Sequence, residues 1–159
     1  MSSQDADFDA WTSMPVEGVD THVEPLSLPV RKGHPSRFDI GSFFWKYVAA
    51  GSVNTAPAVL THLATDESAQ IRKRVAENAN TPADALSLLC DDSDASIRAS
   101  VARNRQTPVY LLRKLAADDN VEVRFAIAAN AAMPDAILLS LFLDPDPYVA
   151  ERASQTLAA

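Results

Sequence analysis

A period of 26 residues limits what this 159-residue chain can fold into more than any other feature of its sequence. The stretch from Thr65 to Leu89 returns from Asp91 to Leu115 and again from Asp118 to Leu141. A degenerate copy of the repeat precedes them, with Trp45 in the place of Ile71. A unit of this length has one apolar stripe and too few residues to bury it alone. The repetition therefore predicts units that stack and bury their apolar faces on one another.

Each unit is predicted to contain two short helices, so the fold class is all-α: a short α-solenoid of paired short helices. The first helix begins at a residue of N-cap type, at Ser68, Asp94, Asn120 and Asp146. An asparagine in the left-handed conformation is predicted to end it, at Asn78, Asn104 and Asn130. The second begins just after a threonine cap, at Thr55, Thr81 and Thr107, with proline in its first turn at Pro82 and Pro108. A last helix, Pro147 to Leu157, is predicted to cap the stack.

The repeated unit reads D-x-x-x-x-[IV]-R-x-x-[VI]-A-x-N-x-x-x-P-x-x-x-L-x-x-L. This pattern resembles the leucine-rich repeat variant family over about residues 42–159. It is also similar to HEAT-type repeats, which commonly carry an Asp and an Arg six positions apart. The resemblance implies a right-handed superhelix of paired short helices. One described member of the variant family adds an N-terminal iron–sulfur cluster with clustered cysteines, and the resemblance does not extend to that cofactor because Cys90 is the one cysteine here.

Two regions are predicted from composition. Residues 1–40 contain four prolines and no sustained period, which is typical of a flexible, largely irregular arm. Residues 41–159 are predicted to form the solenoid of about four repeats with its C-terminal capping helix. The net charge of −7 comes from the arm, since residues 1–30 hold six acids and no Lys or Arg, against 15 acids and 14 bases in the rest. A near-neutral body does not favour non-specific binding to a polyanion.

Large apolar side chains interrupt the acids of the arm. In the segment DADFDAWTSM, Phe8, Trp11 and Met14 are spaced three residues apart. Such a segment can order as one or two helical turns in a groove when it binds. Two destinations are open, the chain's own solenoid and another protein, and the plain alternative is a solvated tail.

No catalytic or metal-binding pattern is present in the sequence. The three histidines, His22, His34 and His62, lie far apart, and there is no glycine-rich phosphate loop. We therefore expect no enzyme activity, no cofactor and no metal. The first base, Arg31, follows six acids, which argues against a secretory signal peptide. No run of about 18 apolar residues predicts a membrane span, and a single cysteine suits a reducing, cytoplasmic compartment.

Three arginines recur at one repeat position, each six residues after an aspartate. The pairs are Asp66 and Arg72, Asp92 and Arg98, and Asp118 and Arg124. A row of guanidinium groups could bind phosphates or other anions. The alternative, which we favour, is structural: each Arg pairs with the Asp six residues earlier and with the turn of the next repeat. Asp144 departs from this spacing because residue 150 is Ala. The asparagine series is also expected to be structural.

Positions that differ between repeats are better candidates for partner binding, because the scaffold does not dictate them. Aromatic and arginine residues are the usual anchors of interfaces. On this basis the candidates are Arg103, Arg105, Tyr110, Phe125 and Tyr148. The alternative is that Phe125 or Tyr110 packs on a neighbouring repeat or on the N-terminal segment.

Two functions compete. The first is a non-enzymatic adaptor that binds a partner protein through the solenoid surface, the acidic arm or both. The alternative is a HEAT-like protein that binds nucleic acid or a phosphate ligand with its Arg-bearing face, with the acidic arm as a mask. The two functions predict different partners for the arginine side chains. Ion pairs between Arg and Asp favour the adaptor. Free guanidinium groups on one strip would favour the alternative, at Arg98, Arg103, Arg105 and Arg113.

Overall fold

The computed structural model describes the backbone from residue 37 to residue 159 and the side chains from residue 42. Nine α-helices and no strand lie in this range, so the all-α prediction is confirmed there. The helices are α1 Arg37–Gly51, α2 Pro57–Leu63, α3 Ala69–Glu77, α4 Ala83–Leu89, α5 Ala95–Arg103, α6 Val109–Leu115, α7 Val121–Ala128, α8 Asp135–Leu141 and α9 Pro147–Leu157. Helix α1 therefore begins ahead of the boundary predicted at residue 41. The arm residues Phe8, Trp11 and Met14 lie outside the described residues.

The predicted starts of the long helices are confirmed. Their N-caps are Ser68 for α3, Asp94 for α5, Asn120 for α7 and Asp146 for α9. At the last three, the side-chain oxygen accepts a hydrogen bond from the backbone N–H two residues on, as Asp94 does from Ser96 at 2.8 Å. These bonds satisfy donors of the first turn that have no partner within the helix.

The threonines have a different role from the one predicted. Helix α4 begins at Ala83, two residues after Thr81, and its N-cap is Pro82 in extended backbone. The hydroxyl of Thr81 donates to the carbonyl oxygen of Val75 at 2.6 Å, and Thr107 makes the same contact one repeat later. Threonine therefore satisfies a carbonyl at the end of the preceding long helix instead of capping the next one, and the N-cap prediction for it was wrong.

The asparagines that end the long helices are extended, not left-handed. Asn78 has φ −73° and ψ 125°, and Asn104 has φ −74° and ψ 127°. The left-handed prediction was therefore wrong for these two residues. The extended backbone allows the side-chain amide to reach the carbonyls of the preceding repeat.

The long helices pack on one another in chain order: α1 on α3, α3 on α5, α5 on α7 and α7 on α9. The seven-residue helices α2, α4, α6 and α8 pack against the long helices that flank them in the chain. Repeated apolar positions supply the core, because each lies between two successive units. Their buried members include Ile71, Ile97, Val123 and Val149, then Val75, Val101 and Ile127, then Leu60, Leu86, Leu112 and Leu138, then Leu63, Leu89, Leu115 and Leu141.

Helix α1 departs from the repeat. Trp45 aligns with the buried Ile71 but is exposed, and among the side chains of this helix from residue 42 onward Ala50 is the buried one. Among the described helices, α1 packs on α2 and α3. Its other side lies at the end of the described stack, which is why a core position there stays exposed. Every helix within residues 37–159 is too short or too polar to cross a bilayer.

Candidate partner-binding surface

The repeated arginines join each repeat to the next. Arg98 donates from Nε and Nη2 to the two carboxylate oxygens of Asp118, at 2.8 and 2.9 Å. Its Nη1 donates to the backbone carbonyl of Asp92 at 2.7 Å. Arg72 and Arg124 make the same contacts in their own repeats. The contact expected with the Asp six residues earlier thus involves its carbonyl oxygen, while the carboxylate of that Asp binds the cation of the preceding repeat.

We call the series of ion pairs between successive repeats the ladder. Its first and last pairs have the same 20-residue spacing as the others. Lys46 stands one repeat before Arg72, and its Nζ lies 2.7 Å from Asp66. Asp144 accepts from Arg124 at 2.7 Å. Asp144 needs no arginine at residue 150, because its carboxylate pairs with the arginine of the preceding repeat. The donors of the ladder arginines are engaged, which leaves little capacity for a phosphate.

Each ladder aspartate also accepts a bond from the backbone N–H two residues on, as Asp92 does from Asp94 at 2.9 Å. Partial burial raises the pKa of Asp92, but the hydrogen bonds from Arg72 and from this N–H lower it more, so its pKa lies below the ordinary value. For Asp118, the bond from Arg98 is the largest influence and lowers the pKa. Carboxylates held ionised in this way stabilise the fold only while they remain ionised.

Acidification is therefore expected to destabilise the chain through the ladder. A carboxylate whose pKa is lowered by folding contributes its full stabilisation above its unfolded pKa, about 4, and loses it as the pH falls through the lower folded pKa. The melting temperature should thus decrease once the pH is lowered beneath about 4. Asp118→Asn removes the charge that pairs with Arg98, so its melting temperature should lie below that of the wild type at neutral pH. The difference should narrow on acidification, because the wild type then loses the same charge by protonation. Asp119→Asn, an exposed neighbour, should run parallel to the wild type. A gap for Asp118→Asn that is constant with pH would contradict this account.

The repeated asparagines form a second set of contacts between repeats. Nδ2 of Asn104 donates to the carbonyls of Ala76 and Asn78, at 2.8 and 2.9 Å. Its Oδ1 accepts from the backbone N–H of Gln106 at 2.8 Å. Asn78 makes the equivalent three bonds one repeat earlier. Through these bonds the buried amide of Asn104 links the end of α5 to the end of α3 in the preceding repeat.

Three candidate residues from successive repeats lie together. Arg103 on α5, Phe125 on α7 and Tyr148 on α9 line one groove of about 310 Å³. The rings are available to a partner, since Phe125 is 40% and Tyr148 is 74% exposed. We call this the aromatic groove, and its lining residues are Arg103, Val121, Glu122, Phe125, Asp146 and Tyr148.

Arg103 also lines a second groove, of about 870 Å³, together with Arg105. This basic groove lies between the connection from α5 to α6 and the connection from α7 to α8, and no acidic residue lines it. Among the side chains from residue 42 onward, no carboxylate forms an ion pair with either arginine. The two grooves meet at Arg103, so anionic and apolar groups of one partner could be bound side by side.

Tyr110 lies apart from the other candidates. It is exposed on the short helix α6 and lines a groove with Leu88 and Asp84 of α4. Arg113 is also exposed on α6, and it forms no ion pair with the side chains from residue 42 onward. The four arginines considered from the sequence therefore do not form one strip of free guanidinium groups, because Arg98 is paired with Asp118.

Several residues of these grooves were missed by sequence reasoning, and Val121 and Leu112 show why. Val121 lines the aromatic groove and takes the place of Ala69 and Ala95, so the comparison between repeats could have found it. Leu112 reaches the basic groove from a constant core position, and no sequence signal marks it.

Two further apolar areas lie at the ends of the described stack. Their exposed side chains are Phe44, Trp45 and Val48 on α1, and Leu139, Phe142 and Leu143 at α8. The end of a repeat stack exposes the surface that a further repeat would cover. Their exposure therefore follows from their position, and we do not assign it to a partner site.

Reactive groups are sparse in the described residues. Cys90 is buried, and burial raises the pKa of its thiol, which keeps it in the unreactive protonated form. From residue 42 onward, the side chains contain no group of three His, Cys, Asp or Glu placed to hold a metal ion.

Comparisons with models of protein families, with curated proteins and with solved structures find no match for this chain. The resemblance to the leucine-rich repeat variant family therefore stays a prediction from the repeat pattern. Function has to be argued from the surface itself.

Proposed function

We propose that this chain is a non-enzymatic protein-binding module, or adaptor, built as a short right-handed α-solenoid. The order of helix contacts and the ladder between successive units support the solenoid architecture. One observation carries the binding function. Side chains that the scaffold does not require, from three successive repeats, converge on the aromatic groove.

The composition of the aromatic groove suits a protein partner. Phe125 and Tyr148 present large, rigid side chains that lose little conformational entropy when they are covered, and Arg103 adds a planar donor at the edge. Asp146 is already engaged, because its carboxylate caps α9. Such exposed aromatic residues beside an arginine are the usual anchors of interfaces.

The competing function, binding of nucleic acid or a phosphate ligand, has less support. Non-specific binding of nucleic acid depends on several phosphate contacts made by Lys and Arg. Of the four arginines that the sequence placed on one strip, Arg98 is committed to Asp118, which leaves Arg103 and Arg105 at one groove and Arg113 on another helix. Two adjacent guanidinium groups are few for this purpose.

Removing both aromatic rings is expected to abolish partner capture without unfolding the chain. Phe125→Ala/Tyr148→Ala changes exposed side chains, so the free energy of unfolding should change by less than about 1 kcal/mol. The tagged full-length chain is used to capture proteins from an extract of the cells that produce it, and the captured proteins are quantified by mass spectrometry. Capture should fall at least about tenfold in the double variant.

Tyr110→Ala is the matched control for this experiment, because it removes an exposed ring on a different helix. It should capture the same proteins as the wild type. Equal capture by the wild type, the control and the double variant would contradict a partner site in the aromatic groove.

The acidic arm supplies a second contact in this proposal. Its support is the sequence, in which Phe8, Trp11 and Met14 stand among carboxylates. Exposed charges are screened over about 8 Å at physiological ionic strength, so a contact of this kind weakens as salt is added.

A further inference from the structure

The third copy of the repeat lacks a contact that each of the first two copies makes. Met133 takes the place of Thr107, so the hydroxyl bond to the end of the long helix is absent there. Ala132 takes the place of Gln106 in the second copy and of Asn80 in the first, where the side-chain amide donates to the carbonyl of Val53. The connection from α7 to α8 has therefore lost two side chains that could bind it to its surroundings.

The asparagine contact is also weaker at this point. Nδ2 of Asn130 lies 3.4 Å from the carbonyl of Ala102, whereas the equivalent bond from Asn104 to Ala76 measures 2.8 Å. Asn104 binds a second carbonyl, that of Asn78, at 2.9 Å. The connections on the two sides of the basic groove are thus held together less closely than those of the preceding repeats.

The basic groove is open where these contacts are missing. It measures about 870 Å³, and the corresponding groove between the connections at Asn54 and Asn80 measures about 600 Å³. It also reaches deeper, since Leu112 is 7% exposed and its equivalent Leu86 is 0% exposed. Apolar surface, most of it from the exposed Val109, thus lies beside two arginines.

We propose that the basic groove binds an acidic segment of the partner protein that carries a large apolar side chain. Carboxylates of the segment contact Arg103 and Arg105, which have no ion-pair partner among the side chains from residue 42 onward. The apolar side chain covers Leu112 and Val109, which line the same groove. Guanidinium groups bind carboxylates in a planar, two-bond geometry, so they select acidic over neutral segments. This inference rests on the proposed protein-binding function and names the chemistry of the partner.

The test measures the binding of two fluorescent peptides to the full-length chain by anisotropy. One peptide alternates Asp with Phe, and the other carries Asn in place of each Asp. The acidic peptide should bind about tenfold more tightly than the neutral one. Arg105→Gln should reduce its affinity to about that of the neutral peptide. Arg113→Gln is the matched control, because it removes an exposed arginine outside both grooves, and it should bind like the wild type.

Equal affinity for the two peptides, or an unchanged affinity in Arg105→Gln, would overturn the inference. A labelled oligonucleotide of equal net charge that binds as tightly as the acidic peptide would also overturn it, in favour of nucleic acid. The proposed function fails separately, in the capture experiment with Phe125→Ala/Tyr148→Ala. A chain that loses capture in that variant but binds both peptides equally keeps the function and loses only this inference.

Discussion

Replacing Asn104 with aspartate is expected to destabilise the fold by about 4 kcal/mol. The change keeps the size of the side chain but turns two N–H donors into a carboxylate oxygen. That oxygen would face the carbonyls of Ala76 and Asn78, which now lie 2.8 and 2.9 Å from the amide nitrogen. Asn104 is 8% exposed, so water is poorly placed to relieve the repulsion. Thermal and urea unfolding of the full chain should show a fall in melting temperature of roughly 15 °C.

Asn130→Asp is the matched control for this substitution. Asn130 is only partly buried, and its amide makes one longer bond to the preceding repeat. Its cost should be less than about half that of Asn104→Asp. Equal losses at the two positions would mean that the contacts between repeats do not set the stability, and that any asparagine at this position matters for a local reason.

Arg98→Ala is expected to destabilise the fold by about 2 to 3 kcal/mol. The substitution removes two bonds to the carboxylate of Asp118 and one to the carbonyl of Asp92. It also leaves the Asp118 carboxylate, whose side chain is 10% exposed, without its cation. Loss of one partner of a largely buried pair costs more than the pair itself contributes, because the remaining charge stays desolvated. The melting temperature should fall by roughly 10 °C.

The control for Arg98→Ala is Arg105→Ala, which changes an exposed arginine two residues after the end of the same helix. It should change stability by less than about 0.5 kcal/mol. Asp92→Ala should destabilise in the same way as Arg98→Ala, through loss of the pair with Arg72. Unchanged melting temperatures in both ladder variants, together with lost partner capture, would make the ladder a binding site instead.

The helices could be predicted from the sequence because their signals are local. The N-cap series from Ser68 to Asp146 recurs at the repeat spacing, and each member stands at the N-cap position of a long helix. The last helix, Pro147–Leu157, has the predicted bounds. Capping and apolar periodicity act within one turn of helix, so they can be read without knowing how the units stack.

The partners of the polar side chains could not be predicted with the same success. In a 26-residue repeat, an aspartate that stands six residues before one arginine also stands 20 residues after the previous one. Spacing alone cannot separate the two pairings. In the structure the carboxylate pairs across 20 residues, and the carbonyl binds across six. The errors at Thr81 and Asn104 have a related origin, because residue types that cap helices locally also bind other carbonyls. Thr81 binds that of Val75 in the preceding helix, and Asn104 binds two of the adjacent repeat.

The candidate surface was partly predictable, because it is formed by positions that the repeat does not fix. Comparing the units singled out Arg103, Phe125 and Tyr148, and the stacking of α5, α7 and α9 brings them to one groove. The same comparison could not place Tyr110, since a variable position on a short helix looks like any other. The basic groove lies where Ala132 and Met133 replace polar residues of the other repeats, and the meaning of these changes is visible only once the contacts of Asn80 and Thr107 are known.

A double-mutant cycle on Arg98 and Asp118 tests the central claim, that each repeat is held to the next by its constant polar residues. The free energy of unfolding is measured by urea denaturation for the wild type, Arg98→Ala, Asp118→Ala and the double variant, and a second cycle pairs Arg98→Ala with Asp92→Ala. We predict a coupling energy of at least about 1 kcal/mol for Arg98 with Asp118, and below about 0.5 kcal/mol for Arg98 with the Asp92 side chain. A larger coupling to Asp92, or none to Asp118, would contradict a stack held together across its repeats.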